Sequence, residues 1–285
     1  MKFLILGCNG MAGHMISIYL SGQGYEVEGY ARRKSAFVNT IEGDARDTGL
    51  LKEVIKKGNY RAVVNCIGLL NQYAEQDHEA AVYLNAYFPQ FIARTAEGTD
   101  TQVIHISTDC VFSGSRGGYL ESELPDGEMF YDRSKALGEI AGHKDVTFRM
   151  SMIGPDINPD GIGLVNWFMQ QKGRVKGYKN SIWTGQTTLQ LAKTIEHAAI
   201  QRVHGLYHMV PEESISKYEL LQLFNQYLRT EPAEVVPEEN FRIDKSLKRT
   251  NYEAFSYQIP GYEHQIRELG SWMQQHKELY PHYHL

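Results

Sequence analysis

The sequence predicts an α/β fold, a doubly wound parallel sheet with a smaller C-terminal lobe. Three observations predict it. Short apolar, β-branched runs alternate with longer helical patterns through the first half of the chain. A glycine-rich turn follows the first apolar run at once. The regular alternation then fades, which divides the chain into residues 1–152 and a smaller lobe, 153–285, interleaved with the last strands of the sheet.

Lys2–Leu6 is wholly apolar after its first residue and reads as a buried strand, with Met11–Ser21 as the helix behind it. Tyr25–Tyr30 reads as the second strand, and a third precedes Gly43. Ala62–Ile67 and Gln102–Ser107 are further strands, separated by the helical periodicity of Ala80–Ala96. Thr147–Ser151 is a later strand. Beyond it, Gly161–Gln171, Thr188–Ile200, Ser216–Tyr227 and Tyr262–Leu279 read as helices. Gly154-Pro155-Asp156 and Val210-Pro211-Glu212 punctuate them.

Composition narrows the function. The 285 residues are 42% hydrophobic, enough for a substantial core, and the net charge of −5 has no dense Lys/Arg block. A nucleic-acid partner is therefore not expected. Cys8, Cys66 and Cys110 are scattered, without a CxxC pair or metal-ligand spacing, so no metal is expected. The apolar start, Met1–Gly7, is too short for a signal peptide, and no run reaches the ~18 apolar residues of a membrane span. A cytoplasmic protein without a membrane partner is expected, and a homodimer is compatible with the sequence.

Gly7-Cys8-Asn9-Gly10-Met11-Ala12-Gly13 lies between the first strand and the first helix. Glycine permits a tight turn and a close approach of backbone to a pyrophosphate, and the helix N-terminus offers free N–H groups. Gly7, Asn9, Gly10, Met11 and Gly13 are thus candidate dinucleotide contacts in a Rossmann-type domain. The second strand runs into Arg32-Arg33 where an acid would suit NAD, and guanidinium groups suit the 2′-phosphate of NADP. NADPH is the expected cofactor. Asp44, in a polar turn, is placed to accept from an adenine, and Cys66, Ile67 and Gly68 end a strand at the edge where such sheets bind ligands.

Ile104–Ser107 leads into Thr108-Asp109, and Tyr131 and Lys135 follow with the spacing that puts both on one helix face. Reducing a ketone requires a proton on oxygen. A phenol is a sluggish acid–base partner near neutrality, so a neighbouring ammonium is expected to lower its pKa. Thr108 is placed to hold the carbonyl oxygen. Thr108, Tyr131 and Lys135 are the candidate catalytic residues, the last two also touching the cofactor.

These motifs, with Asn65–Gly68, Leu84-Asn85, Ser107–Gly114, Arg149–Pro155 and Gly205-Leu206-Tyr207-His208, resemble the extended short-chain dehydrogenases, and most closely the dTDP-4-dehydrorhamnose reductase group. The resemblance implies NADPH-dependent reduction of the C4 ketone of a nucleoside-diphosphate 6-deoxy-4-ketohexose, in deoxysugar synthesis for cell-surface polysaccharide. It makes Tyr131 the acid and Lys135 the group that binds the nicotinamide ribose. Asp109, Val111, Trp183, Lys248 and Arg249 are candidate substrate contacts, with Lys245 beside the last two; Trp183 is suited to stacking and the basic residues to a diphosphate.

The sequence departs from the family pattern at Cys110 (commonly Tyr), Gly127 (commonly Pro), Asp132 (commonly Gly) and across Gly177–Thr188. A UDP-linked 2-acetamido-2,6-dideoxy-4-ketohexose is accordingly a rival substrate. A 4,6-dehydratase would carry Glu at position 110, and an epimerase would retain NAD. The alternative from another class is a non-catalytic NADP-binding regulatory subunit. His282 and His284 are read as part of an exposed, frayed tail rather than as metal ligands.

Overall fold

The computed structural model describes residues 1–140 and 142–285. In chain order the elements are β1 (Lys2–Leu6), α1 (Met11–Gly22), β2 (Glu26–Ala31), β3 (Asn39–Glu42), α2 (Thr48–Lys57), β4 (Ala62–Asn65), α3 (Asn71–Gln76), α4 (His78–Ala81), α5 (Phe88–Ala96) and β5 (Gln102–Ile106). A π-helical segment, Val82–Tyr87, joins α4 to α5. Then come α6 (Phe130–Leu137), β6 (Val146–Arg149), β7 (Ser151–Ile153), α7 (Leu164–Met169), β8 (Arg174–Trp183), β9 (Gly185–Thr187) and α8 (Thr188–Gln201). The chain ends with β10 (Gly205–His208), β11 (Ile215–Ser216), α9 (Lys217–Leu228), β12 (Glu234–Asp244) and α10 (Tyr262–Gln275).

Seven parallel strands form the main sheet in the order β10-β6-β5-β4-β1-β2-β3. β1 shows why it sits at the centre. Phe3, Leu4, Ile5 and Leu6 are fully buried. Successive side chains point to opposite faces: Phe3 and Ile5 join a core with Ile16 of α1 and Leu191 and Ile195 of α8, while Leu4 and Leu6 join one with Leu51, Ile55 and Ile92. The strand order reverses between β1 and β4, which opens the crevice where such sheets take ligands.

The second half supplies both a strand of this sheet, β10, and a separate three-stranded ribbon, β11-β8-β12. β8 and β12 were not expected, since the region read as helices and connections. The reason lies in their surface. The paired strands carry Lys176–Glu238 at 3.0 Å and Lys179–Glu239 at 2.8 Å, much of the ribbon is exposed, and Pro237 lies within β12. Charges across strands stabilise a solvated ribbon without leaving an apolar period to read. Ser216 caps α9 through a reciprocal box with Glu219.

The C-terminus contradicts the expectation of a frayed tail. Tyr280 and Tyr283 are buried. The Tyr280 hydroxyl and His14 Nε2 of α1 are 2.8 Å apart, and the Tyr283 hydroxyl donates to Asn166 Oδ1 at 2.7 Å. Two tyrosines bury enough area to overcome the entropy of a chain end. Among the described residues no helix is long and apolar enough to cross a membrane, and no cluster of His, Cys, Asp or Glu is arranged for a metal.

Arg149 and Glu139, just after α6, form a buried ion pair: Nε–Oε1 2.7 Å and Nη2–Oε2 2.6 Å, with Ser107 Oγ donating to the same carboxylate at 2.8 Å. Removing one partner strands the other charge. Glu139→Ala is therefore expected to destabilise the fold by about 3–5 kcal/mol in chemical denaturation, with a smaller loss for Glu139→Gln, whose amide oxygen keeps the bonds at Oε1 but whose NH2 cannot accept from Arg149 Nη2.

Candidate active site

The glycine loop is built as a cradle. Gly7 has φ +80°, in the left-handed region, and its N–H donates to the Tyr30 carbonyl at 2.8 Å. Gly10 N–H closes the turn on the Gly7 carbonyl at 2.9 Å. A Cβ on Gly13 would sit 2.1 Å from the Gly7 oxygen, so only glycine lets α1 approach the loop this closely. Gly10 caps α1 without a side-chain hydrogen bond, which leaves the helix N-terminus presented by bare backbone. Asn9 Nδ2 donates to the Arg33 carbonyl at 2.8 Å and ties the loop to the segment after β2, where Arg32 and Arg33 are exposed. Met11 begins the helix. Asp44 spends one carboxylate oxygen on its own turn, accepting from Arg46 N–H at 2.9 Å. These residues fit a dinucleotide phosphate: a glycine cradle that a Cβ would fill, an open helix N-terminus, and two exposed guanidinium groups at the end of β2.

The wall opposite the loop is Cys66-Ile67-Gly68. Asn65 accepts from Ile67 N–H at 3.1 Å and contacts His105 Nδ1 at 3.1 Å. Asn85, in the π-helical segment, accepts from Leu69 N–H at 2.8 Å, donates to the Leu69 carbonyl at 2.9 Å, and reaches Ser134 Oγ of α6 at 3.1 Å. The widened turn thus clamps the segment after β4 to α6. Leu84-Asn85 belonged to the family resemblance, but no residue pattern announced this clamp.

Thr108 follows β5, and Tyr131 and Lys135 lie on α6; all three are buried. Thr108 Oγ1 accepts from Cys110 N–H and contacts Asp109 Oδ1, both at 3.0 Å, and it stands close enough to the Tyr131 phenol to counter part of the effect of burial there. Glu75 accepts from Tyr131 N–H at 2.9 Å and so anchors the first turn of the helix. Lys135 Nζ donates to the Ile106 carbonyl at 2.8 Å.

The electrostatics correct one expectation. Burial pushes the Tyr131 phenol well up, with the Thr108 hydroxyl opposing. Burial brings Lys135 itself down to about 8, with Glu139 and Cys66 opposing. Desolvation disfavours both charged forms, and the ammonium is turned to Ile106 rather than to the phenol. At neutral pH Tyr131 therefore holds its proton, which is the form a proton donor needs.

The three family departures near this helix touch one another. A Cβ on Gly127 would lie 2.5 Å from Asp132 Cβ and 2.7 Å from the Cys110 carbonyl. Asp132 in turn accepts from Met129 N–H at 3.3 Å and reinforces the start of α6. The changes are one repacking, and the Thr108–Tyr131 contact survives it.

The substrate candidates divide sharply. Asp109 is buried beside Thr108; burial raises its carboxyl pKa, while Thr108, Lys217 and Lys245 oppose the rise. Val111 is fully buried in the main core, so its side chain is packing rather than a substrate contact. Trp183 is likewise a core residue, packed on Tyr262 with centroids 5.5 Å apart, and not a stacking platform. Arg249 is buried, its guanidinium donating to the Phe255 and Tyr257 carbonyls, so it holds a loop rather than a diphosphate. The segment 244–249 is no helix; it is the end of β12 and an extended stretch bridged to Tyr119. That geometry leaves Lys248 exposed and turns Lys245 toward α6, 3.9 Å from Asp132. Glu75 and Lys217 escaped the sequence reading altogether, because nothing in their own neighbourhoods marks them.

Fold and site together define a Rossmann-type protein with the Thr–Tyr–Lys geometry of a short-chain reductase. The family model described as RmlD substrate binding domain matches residues 1–284, and the chain belongs to that family. It is 23% identical over 267 residues to a dTDP-4-dehydrorhamnose reductase of Mycobacterium tuberculosis, covering 90% of this chain and 84% of that one. Among solved structures, it is similar to the dTDP-4-dehydrorhamnose reductase of Bacillus anthracis in complex with NADP, with TM-score 0.78 and 20% identity, covering 94% of this chain and 98% of that one. It is equally similar to the Clostridium acetobutylicum ortholog, with TM-score 0.78 and 20% identity, covering 96% and 100%.

Proposed function

We propose that the protein is an NADPH-dependent reductase of a nucleoside-diphosphate 6-deoxy-4-ketohexose, of the dTDP-4-dehydrorhamnose reductase type, in deoxysugar biosynthesis. The observation that carries the reading is the convergence of Thr108, Tyr131 and Lys135 at the C-terminal edge of the sheet, beside the Gly7–Gly13 cradle. Family membership and the NADP-bound neighbour support it.

The loop Gly7–Gly13, Arg32, Arg33 and Cys66–Gly68 would hold the cofactor. NADPH, when bound, supplies the hydride. Thr108 holds the ketone oxygen in place, and Tyr131 gives that oxygen its phenolic proton, completing the alcohol. Lys135, once drawn from the Ile106 carbonyl, is within the helix face to bind a ribose hydroxyl and to steady the phenolate left behind. Protonation from bulk water then restores Tyr131.

The test is NADPH oxidation with a panel of 4-keto nucleotide sugars. Turnover of dTDP-4-dehydrorhamnose is the expected result. Preference for a UDP-linked 2-acetamido-6-deoxy-4-ketohexose would reassign the sugar. Normal NADPH binding with no turnover of any panel member would point to a regulatory subunit instead. The cofactor preference has its own check: the double variant Arg32→Ala/Arg33→Ala is expected to weaken NADPH binding about 10–100-fold, the worth of lost charge-assisted hydrogen bonds, and to leave NADH binding unchanged. An equal loss for both cofactors would remove the 2′-phosphate from this reading.

A further inference from the structure

We infer that Lys217, on the second lobe, is a specificity-determining residue that reads an oxygen substituent of the sugar ring beside the reacting carbon. The inference rests on the reductase reading above for the position of that carbon.

Lys217 opens α9 directly after the Ser216 cap, and its ammonium lies 5.1 Å over the Trp183 ring. The side chain is half-buried, and its ammonium makes no hydrogen bond and no ion pair within 4.0 Å among the described residues. The charge that faces it is Asp109 on the turn after β5, with the neutral Cys110 thiol beside it. Beyond them stand Lys245, whose charge also acts on Asp109, and Asp132 of α6. On its own helix, Glu219 is turned back to Ser216, 2.7 Å from the hydroxyl, and does not compensate it.

A half-buried cation and a buried carboxylate attract each other yet stand apart here. The carboxylate has lost water without gaining a full partner, a costly arrangement unless something else occupies the space. Asp109 is the residue after Thr108, with a carboxylate oxygen 3.0 Å from its hydroxyl, and Thr108 stands beside the Tyr131 phenol. The gap therefore adjoins the position of the ketone. A hydroxyl, or the carbonyl of an acylamino group, would complete both charges: its oxygen accepts from Lys217, and an O–H or N–H donates to Asp109. The anchors come from different lobes, so a sugar seated between them also joins the lobes.

The test separates the sugar from the base. Calorimetric titrations of the NADP-loaded protein use dTDP, dTDP-glucose, UDP and UDP-glucose, and the ratio of Kd values within a pair measures what the hexose adds. Lys217→Met is expected to cut that increment about 10-fold or more while sparing the bare diphosphate, and Lys217→Arg to retain most of it. Burial lowers the Lys217 pKa to about 8. The wild-type increment should therefore decline above that pH, while Lys217→Arg, charged throughout, should stay flat. Lys135 titrates in the same range but is untouched by the substitution, so a decline shared by both proteins would overturn the inference. So would equal losses for diphosphate and sugar, or a wild-type protein for which glucose adds nothing with either base. Failure of turnover with every 4-keto substrate, with the increment and its Lys217 dependence intact, would sink the reductase reading alone.

Discussion

Tyr131→Phe is expected to lower kcat/KM by about 10²–10⁴-fold, the usual worth of a positioned proton donor, while leaving NADP affinity and thermal stability near wild type. The phenol is the proton-bearing group beside Thr108. Phe preserves the ring, which packs with Ala74 and Ala81, so the loss should fall on kcat rather than on folding. Steady-state NADPH oxidation, paired with NADP titration and a melting curve, separates these effects. Retained turnover would remove Tyr131 from the mechanism. Because burial holds the phenol well above neutrality, its protonation should not limit the rate between about pH 6 and 9. A fall in kcat/KM toward the alkaline end of that range would instead report Lys135 or Lys217, which lose their charge near 8.

Gly13→Ala is the second large effect. Its Cβ would lie 2.1 Å from the Gly7 oxygen, 2.8 Å from the Gly7 carbonyl carbon and 2.9 Å from Cys8 Cα. All three are backbone, so α1 must move away from the loop and cannot do so by a side-chain rotation. The helix N-terminus would leave the phosphate position, and dinucleotide binding is expected to weaken about 100-fold or more, while the overpacking costs about 1–3 kcal/mol of stability. Gly10 offers the internal control, since a Cβ there meets only the Gly7 oxygen, at 3.4 Å. Gly10→Ala should be much milder in melting temperature, and equal losses of stability at the two positions would refute the close-approach argument.

The main sheet was legible because its strands are buried on both faces. Lys2–Leu6 shows it as an apolar run after its first residue, followed by glycine, and Gln102–Ile106 as Val103, Ile104 and Ile106 followed by Ser-Thr-Asp. The charged ribbon of β8 and β12 was not, since its cohesion comes from pairing with a strand about 60 residues away in sequence and from cross-strand ion pairs rather than from a local apolar period. The same division runs through the site. Tyr131 and Lys135 are set by one helix and Gly7–Gly13 by one turn, so their spacing alone announces them. Trp183 and Arg249 were attractive as substrate contacts by residue type, but packing with Tyr262 and with the 255–257 loop buries both.

What the sequence by itself determined, then, is the local chemistry: a nucleotide cradle, an arginine pair at the end of β2, and a phenol and an ammonium on one helical face. Periodicity and glycine placement act over a few residues and leave their record in order. The tertiary structure alone decided the charge state of that chemistry and its surroundings. Burial raises Tyr131 and lowers Lys135, the Asn85 clamp joins the segment after β4 to α6, and Lys217 arrives from the second lobe to face Asp109. Desolvation and contacts between distant segments depend on which surfaces the completed fold closes together, and no local stretch of the chain carries that information.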